Sequence, residues 1–445
     1  MVRKSFLVLV VIWAALGMSL AETPYDKMML KGRTDKESPV GYQVGEPIKL
    51  TIYTSDIEEV PAEGLVLKWK RLGDDGKESS GEAPFKLGDI CTIETSLDIP
   101  GFVKFEAQLF DAKGEPVMRD VVAPGEESWT NNKKVDFVGG AGVAVNELRQ
   151  IIPEPRDFDE YWATQKMILA SVPMRVMRFP AKGCENDPDQ LIEGVYVSCA
   201  GTRPVTGYLV MPKNAKPKSC TAFLGLQGYG CYVPSVEHQQ DLGNEIKFFM
   251  NAHGLELDAD KAYYDDYFKM INTFRDPWAQ YAWNEVENQK PDTCYFRWMA
   301  MRVMRALEFL KSLPEWNGKD LIVEGGSQGG LQTLWAAGLD NDVSLARPIV
   351  PWCCDMGLTV STKLRGNWHI QYAPGLDYFD GINHAKRAKC RVEIVRAGLA
   401  DYCAPPSGVA ALFNALPGNA SIKWVQGSQH GNTPPLPNQV KVIEK

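Results

Sequence analysis

A chain of 445 residues, 44% of them hydrophobic, exceeds one ordinary domain and can bury a large core. Its formal net charge of −8 disfavours a nucleic acid or an anionic membrane as partner. No C-x-x-C, no zinc-like cysteine spacing and no H-E-x-x-H occurs, so neither a catalytic metal nor a cofactor is expected.

Residues 1–21 read as a secretory signal peptide. Arg3 and Lys4 form the basic end, 6–18 are apolar, and Ser19-Leu20-Ala21 is a small-x-small cleavage site. Its removal takes away two positive charges and moves the formal charge from −8 to −10. No later stretch is long and apolar enough to span a bilayer, and the first cysteine is Cys91, too late to carry a lipid anchor. A soluble secreted or periplasmic protein is expected. Ten cysteines in an exported chain could form disulfides, but the count does not give the pairing.

From 22 to 137 the texture is that of period-two strands. Ile48, Leu50 and Ile52 alternate with Lys49, Thr51 and Tyr53, and Val103, Phe105, Ala107 and Leu109 alternate with Lys104, Glu106 and Gln108. Gly-Asp, Asp-Gly and Pro-Gly turns separate them, which predicts a small antiparallel β-sandwich domain. Its safest role is structural support. Residues 138–150, with Gly139-Gly140-Ala141-Gly142, read as a linker. Residues 151–445 then alternate strand patterns (194–198, 207–211, 221–226, 321–323, 345–350, 392–396) with helical ones, predicting an α/β-hydrolase with a mostly parallel sheet. An insert at about 231–293 is rich in aromatics, among them Tyr263, Tyr264, Tyr267, Phe268, Trp278, Tyr281 and Trp283. These side chains either fill a subdomain core of their own or stack on sugar rings, and the insert is expected to wall the site either way.

After the insert, Phe296, Ala300, Val303, Leu307 and Leu310 fall on one helical face, with Arg297, Arg302 and Glu308 elsewhere. The apolar run Leu321-Ile322-Val323 feeds into Gly325-Gly326-Ser327-Gln328-Gly329, a G-x-S-x-G pattern between strand and helix. Such a turn is strained and tolerates only small neighbours, and it lifts the serine hydroxyl to where a base and a carbonyl can reach it. Acyl transfer by Ser327, as ester hydrolysis, follows. The base is His430, last of five histidines and on the loop after a strand-like run at 422–425. His369 and His384 are read as surface or lid residues. The acid that orients the imidazole is Asp401, on the loop after the strand-like 391–398; Asp355 is the competitor, otherwise a helix cap or buried structural carboxylate. For the oxyanion hole, the backbone N–H of Gln328 comes with the elbow, and that of Tyr229 comes from Gln227-Gly228-Tyr229-Gly230 after an earlier strand. Cys353-Cys354 reads as a pair of small buried residues.

Several of these runs resemble the acetyl xylan esterase and cephalosporin-C deacetylase family. They are Gly325-Gly326-Ser327-Gln328-Gly329-Gly330, Gln227-Gly228-Tyr229, Gly398-Leu399-Ala400-Asp401-Tyr402-Cys403-Ala404-Pro405-Pro406, the late His430, and 153–162 at the start of the domain. The resemblance implies removal of small acyl groups, typically acetyl, from sugar hydroxyls by Ser327, Asp401 and His430, with an acetylated oligo- or polysaccharide as partner and homo-oligomers possible. Trp278, Trp283 and Arg297 are the candidate substrate contacts. The chain departs from the family in two places. The Arg-Gly-Gln motif of many members is absent, and the interval 231–293 contains Asn251-Ala252-His253-Gly254 instead; after His430, a Gly-Asn-Thr-Pro-Pro tail stands where relatives have a glutamate and a closing helix. The alternatives are another serine hydrolase, such as a peptidase or a uronic-acid methyl esterase using Arg297 or Arg365, and a non-catalytic carbohydrate-binding protein on a hydrolase scaffold.

Overall fold

The computed structural model describes residues 30–54, 64–86, 88–118, 134–234, 236, 238–271, 281–431 and 439–445. The expected signal peptide, Trp278 and the tail at 432–435 lie outside the described residues. The chain divides into two units: Met1–Val145 with Gly398–Tyr402 and Trp424–Lys441, and Asn146–Ala397 with Cys403–Lys423 and Val442–Lys445.

In the first unit, β1 (Leu30–Thr34), β2 (Ile48–Thr54) and β5 (Ile90–Thr95) form one antiparallel sheet in the order β1-β2-β5. The strands β3 (Leu65–Gly73), β4 (Glu78–Phe85), β6 (Gly101–Phe110) and β7 (Asp136–Val143) form a second, in the order β4-β3-β6-β7. The alternation dictates the packing: Ile48, Leu50 and Ile52 share a core with Val103, Phe105, Ala107 and Leu109. The stretch Gly139-Gly140-Ala141-Gly142 is not a linker. It lies within β7, paired with β6 in register Gly140↔Lys104, and the Gln426 side chain binds Gly140 through both its N–H and its C=O at 2.9 Å each. Pairing with β6 on one edge and the Gln426 amide on the other outweigh the weak strand preference of glycine.

The second unit is built on a ten-stranded sheet. Its strands are β8 (Val176–Pro180), β9 (Gln190–Val197), β10 (Val205–Pro212), β11 (Cys220–Leu226), β12 (Glu245–Asn251), β13 (Trp316–Gly326), β14 (Leu345–Ile349), β15 (Arg391–Gly398), β16 (Ala420–Val425) and β17 (Val440–Glu444). Their order is β17-β16-β15-β14-β13-β11-β12-β10-β9-β8. The run β12-β11-β13-β14-β15 is parallel, and β8, β9 and β10 join it antiparallel. At the chain position where the resembled family has a closing helix, this chain has β17, which lies beside β16 at the sheet edge. The helices are α1 (Phe158–Ala170), α2 (Lys261–Ile271), α3 (Tyr295–Ser312), α4 (Gln328–Leu339), α5 (Gly381–Ala385) and α6 (Pro406–Ala415). No helix among the described residues is long and apolar enough to cross a membrane.

In α3 the apolar face Phe296, Ala300, Val303, Leu307 and Leu310 is buried as its spacing predicts. Arg302, expected off that face, is buried too, because its Nε donates to the Ala252 carbonyl at 2.8 Å and removes the cost of an unpaired group. His384 and His369 are likewise not surface or lid residues. His384 lies against Phe158 and Trp162 with Nε2 donating to the Tyr378 carbonyl at 3.0 Å, and burial pushes its pKa down to about 3. His369 is buried as well and pushed down to about 4.

Asp355 is a buried structural carboxylate at the start of a short 3-10 turn, accepting the Ile151 N–H at 3.1 Å. Burial, with Asp380 adding to it, pushes its pKa from 3.8 up to about 7. The folded state therefore holds this proton more tightly than the unfolded chain, so its contribution is full below about pH 4 and is lost as pH rises through about 7. Asp355→Asn keeps the acceptor for Ile151 but carries no proton to lose. Melting temperatures taken from pH 4 to 8 are expected to fall less steeply in Asp355→Asn than in the wild type.

Candidate active site

Ser327 sits between the last residue of β13 and the first of α4 at φ 56° and ψ −116°, a left-handed backbone that a non-glycine residue adopts only under constraint. The constraint is visible. The Ser327 N–H donates to the Ile349 carbonyl at 2.9 Å, and the Ser327 carbonyl accepts from Trp352 and Leu331 at 3.1 Å each. The turn also brings α4 against β11. A Cβ on Gly329 would lie 2.3 Å from the Leu226 carbonyl oxygen, and one on Gly325 would lie 2.6 Å from the Gly329 carbonyl carbon. Both flanking positions of the motif are thus closed to any side chain.

The loop after β11 carries Gln227 to Gly230. Among the described residues no acceptor meets the backbone N–H of Tyr229 or of Gln328. Everything around those two groups is tied down. The Gln328 side chain donates to the Gly228 carbonyl at 3.3 Å and accepts from the Tyr281 hydroxyl at 2.8 Å. Tyr281 accepts the Gly230 N–H at 3.0 Å, and its ring stacks on Tyr229 with centroids 4.2 Å apart. The Gly230 carbonyl accepts from Gln227 Nε2 at 2.7 Å and meets His253 Nε2 at 3.1 Å. Because a carbonyl only accepts, Nε2 carries the proton, and His253 Nδ1 then accepts from the Tyr295 hydroxyl at 2.7 Å. Burial pushes the His253 pKa down to about 3, so the ring is neutral.

Asp401 and His430 both belong to the first unit. The acid loop and the histidine loop are laced together by Leu399 N–H to the Val425 carbonyl at 3.0 Å and Ala400 N–H to the Ser428 carbonyl at 3.1 Å. Asp401 is 1% exposed and accepts from His430 Nδ1 at 2.8 Å, while the His430 side chain keeps 18% of its surface open. With Nδ1 keeping its proton and donating it in a hydrogen bond to the carboxylate, Nε2 holds the lone pair and can act as a base.

The other sequence candidates fall differently. Trp283 packs edge-on to Tyr229 and Trp368 and stacks on Trp352. Trp368, absent from the expectations, is 36% exposed and packs on Tyr229 at 5.3 Å. Tyr281 is fully buried, so within the insert it is a packing residue and offers no face to a sugar. Arg297 is held by Gln165, the Asp292 carbonyl and the Asp292 carboxylate, and Arg365 by the Leu358 and Ser361 carbonyls. Cys353 and Cys354 are buried thiols raised well above their usual range by burial. The sequence places Tyr281 in the insert expected to wall the site but assigns it no role there, and the signal for His253 is the Asn251-Ala252-His253-Gly254 stretch.

A strained serine between a parallel strand and a helix, below a loop with open backbone N–H groups, is the elbow of an α/β-hydrolase. The chain belongs to the acetyl xylan esterase family, whose profile, described as acetyl xylan esterase (AXE1), matches residues 143–367 and 371–443. Acetyl esterase Axe7A of Xylanibacter ruminicola is 26% identical over 293 residues, 62% of this chain; the chain spans 63% of that relative's length. Two solved structures share the fold. Acetyl xylan esterase from Paenibacillus sp. R4 has a TM-score of 0.55 at 23% identity, covering 65% of this chain and 94% of its own. Acetyl xylan esterase 1 from Thermoanaerobacterium sp. JW/SL YS485 has a TM-score of 0.53 at 19% identity, covering 64% and 92%.

Gly329→Ala tests the closeness of α4 to β11. The added methyl must displace backbone, so the variant is expected to lose about 3 kcal/mol or more of stability or to fail to accumulate folded, whereas Gly326→Ala, with open space at its Cβ, is expected to melt near the wild type. Chemical denaturation of both variants checks this.

Proposed function

We propose that this chain is an exported serine carbohydrate esterase that removes acetyl groups from the hydroxyls of an acetylated oligo- or polysaccharide. The observation that carries the reading is the Ser327 elbow in a chain of the acetyl xylan esterase family. Ser327 Oγ attacks the acetyl carbonyl as His430 Nε2 takes its proton. Asp401 holds the imidazole in the required tautomer and stabilises its charge; the 2.8 Å contact to Nδ1 supports that role. The tetrahedral oxyanion is received by the backbone N–H groups of Tyr229 and Gln328, whose lack of an acceptor among the described residues supports the assignment. His430 then protonates the leaving sugar alcohol, and water, activated by the same imidazole, releases acetate from the acyl-enzyme.

Trp283 and Trp368 supply the aromatic surface for a sugar ring, Trp368 through its exposed face. The guanidinium groups of Arg297 and Arg365 are engaged by protein acceptors, which disfavours a uronate-binding role. Export rests on the leader at residues 1–21.

With p-nitrophenyl acetate and acetylated xylan as substrates, Ser327→Ala is expected to lower kcat by about 10³-fold or more, and Asp401→Asn by a comparable factor with KM little changed. Retained turnover in Ser327→Ala contradicts the nucleophile. A folded wild type that binds glycan but releases no acetate supports the binding-protein alternative.

A further inference from the structure

We propose that the Gln328 side chain and Tyr281 form a positioning device that aims the second oxyanion donor, the backbone N–H of Tyr229. The proposal rests on the esterase reading above and assigns a task to two side chains that the reading leaves unused.

The peptide bond between Gly228 and Tyr229 is trans, so its carbonyl and its N–H point in opposite directions. Whatever holds the Gly228 carbonyl therefore sets the direction of the Tyr229 N–H. That holder is Gln328 Nε2, at 3.3 Å. The Gln328 amide is itself fixed, because its Oε1 accepts from the Tyr281 hydroxyl at 2.8 Å, and this hydroxyl accepts the Gly230 N–H at 3.0 Å. The path Gly230 N–H, Tyr281 OH, Gln328 amide, Gly228 carbonyl is a closed ring of hydrogen bonds that brackets Tyr229 on both sides. Donor and acceptor roles are consistent around it, and each polar group in it is used once in each role it can offer there.

Two further contacts keep the ring from swinging. Tyr229 stacks on Tyr281 at an interplanar angle of 4° and donates its hydroxyl to the Tyr281 carbonyl at 3.0 Å. On the far side, His253 and Gln227 together hold the Gly230 carbonyl. Gln328 and Tyr281 are fully buried, so water does not compete for these bonds in the resting protein. Gln328 thus contributes twice: its backbone N–H is one donor, and its side chain orients the other. This gives a physical reason for glutamine at the residue after the nucleophile, where a hydrophobic side chain would satisfy the packing equally well.

The test compares wild type, Tyr281→Phe, Gln328→Met and the double variant. Tyr281→Phe keeps the stacked ring but removes the hydroxyl; Gln328→Met keeps the volume and the backbone N–H but releases the Gly228 carbonyl. With p-nitrophenyl acetate, each single variant is expected to lose about tenfold in kcat with KM changed less than twofold, a smaller loss than the 10²–10³-fold of deleting an oxyanion donor outright. Because both act through one ring, the double variant is expected to lose little more than the worse single. Methylboronic acid, which forms a tetrahedral adduct on the serine, is expected to weaken in Ki in proportion to kcat/KM, which a purely structural defect would not produce. Melting curves show whether each variant is folded; if Tyr281→Phe is not, Gln328→Met alone carries the comparison. Unchanged kcat and Ki in a folded variant, or equal loss in kcat and substrate binding, overturns the inference while leaving the esterase reading intact. A wild type that turns over no ester overturns both.

Discussion

The contact on which the rest of the second unit depends is the approach of the α4 backbone to the end of β11. At Gly329 and Gly325 there is no room for a methyl group, and this absence of side chains lets the helix start directly against the strand. Two consequences follow from one geometry. The serine is forced into a left-handed conformation that presents its hydroxyl, and the first turn of α4 comes near the loop after β11, where the Gln332 side chain donates to the Gln227 carbonyl at 2.8 Å. A looser helix would relieve the strain and loosen the hold of α4 on that loop at the same stroke.

Around that contact the protein buries polar groups alongside apolar ones. Gln227, Asn251, His253, Tyr281, Tyr295, Gln328 and Gln332 are linked by hydrogen bonds, with Gln227 Oε1 accepting from both Asn251 Nδ2 and Ala252 N–H. Such a network contributes little net stability when complete, but breaking one bond strands a partner at a cost of about 1–3 kcal/mol. It therefore fixes loop shape more than it adds to stability. The neutrality of His253 fits: an imidazolium would be desolvated beside Arg302, which binds the neighbouring Ala252 carbonyl. Asn251-Ala252-His253 thus supplies a neutral clamp in the interval where many members of the family carry an arginine motif.

What the sequence makes legible is what a few consecutive residues determine. The elbow reads directly from an aliphatic strand, glycines and a helical run, and the face of α3 reads from its spacing. The first unit's strands are legible from alternation, except β7, whose Gly139-Gly140-Ala141-Gly142 lacks side chains to alternate and takes its strand form from its neighbours. Long-range pairing hides the remainder. Tyr281 lies 47 residues from the Gln328 it binds, and His253 lies 23 from Gly230, so no local pattern distinguishes either from an ordinary core residue. His384 and Arg302 go unread as buried for the same reason: Phe158 and Trp162, which pack on the one, and the Ala252 carbonyl, which accepts from the other, come from elsewhere in the chain.

The central claim is that Ser327 is a nucleophile activated by His430, and covalent trapping addresses it most directly. The wild-type protein would be treated with diethyl p-nitrophenyl phosphate, and the labelled residue located by peptide mass mapping alongside the loss of esterase activity. One diethylphosphoryl group per chain on Ser327, appearing in step with inactivation and suppressed in His430→Ala, is the predicted result. A label on another residue, or no label while ester turnover continues, would contradict it.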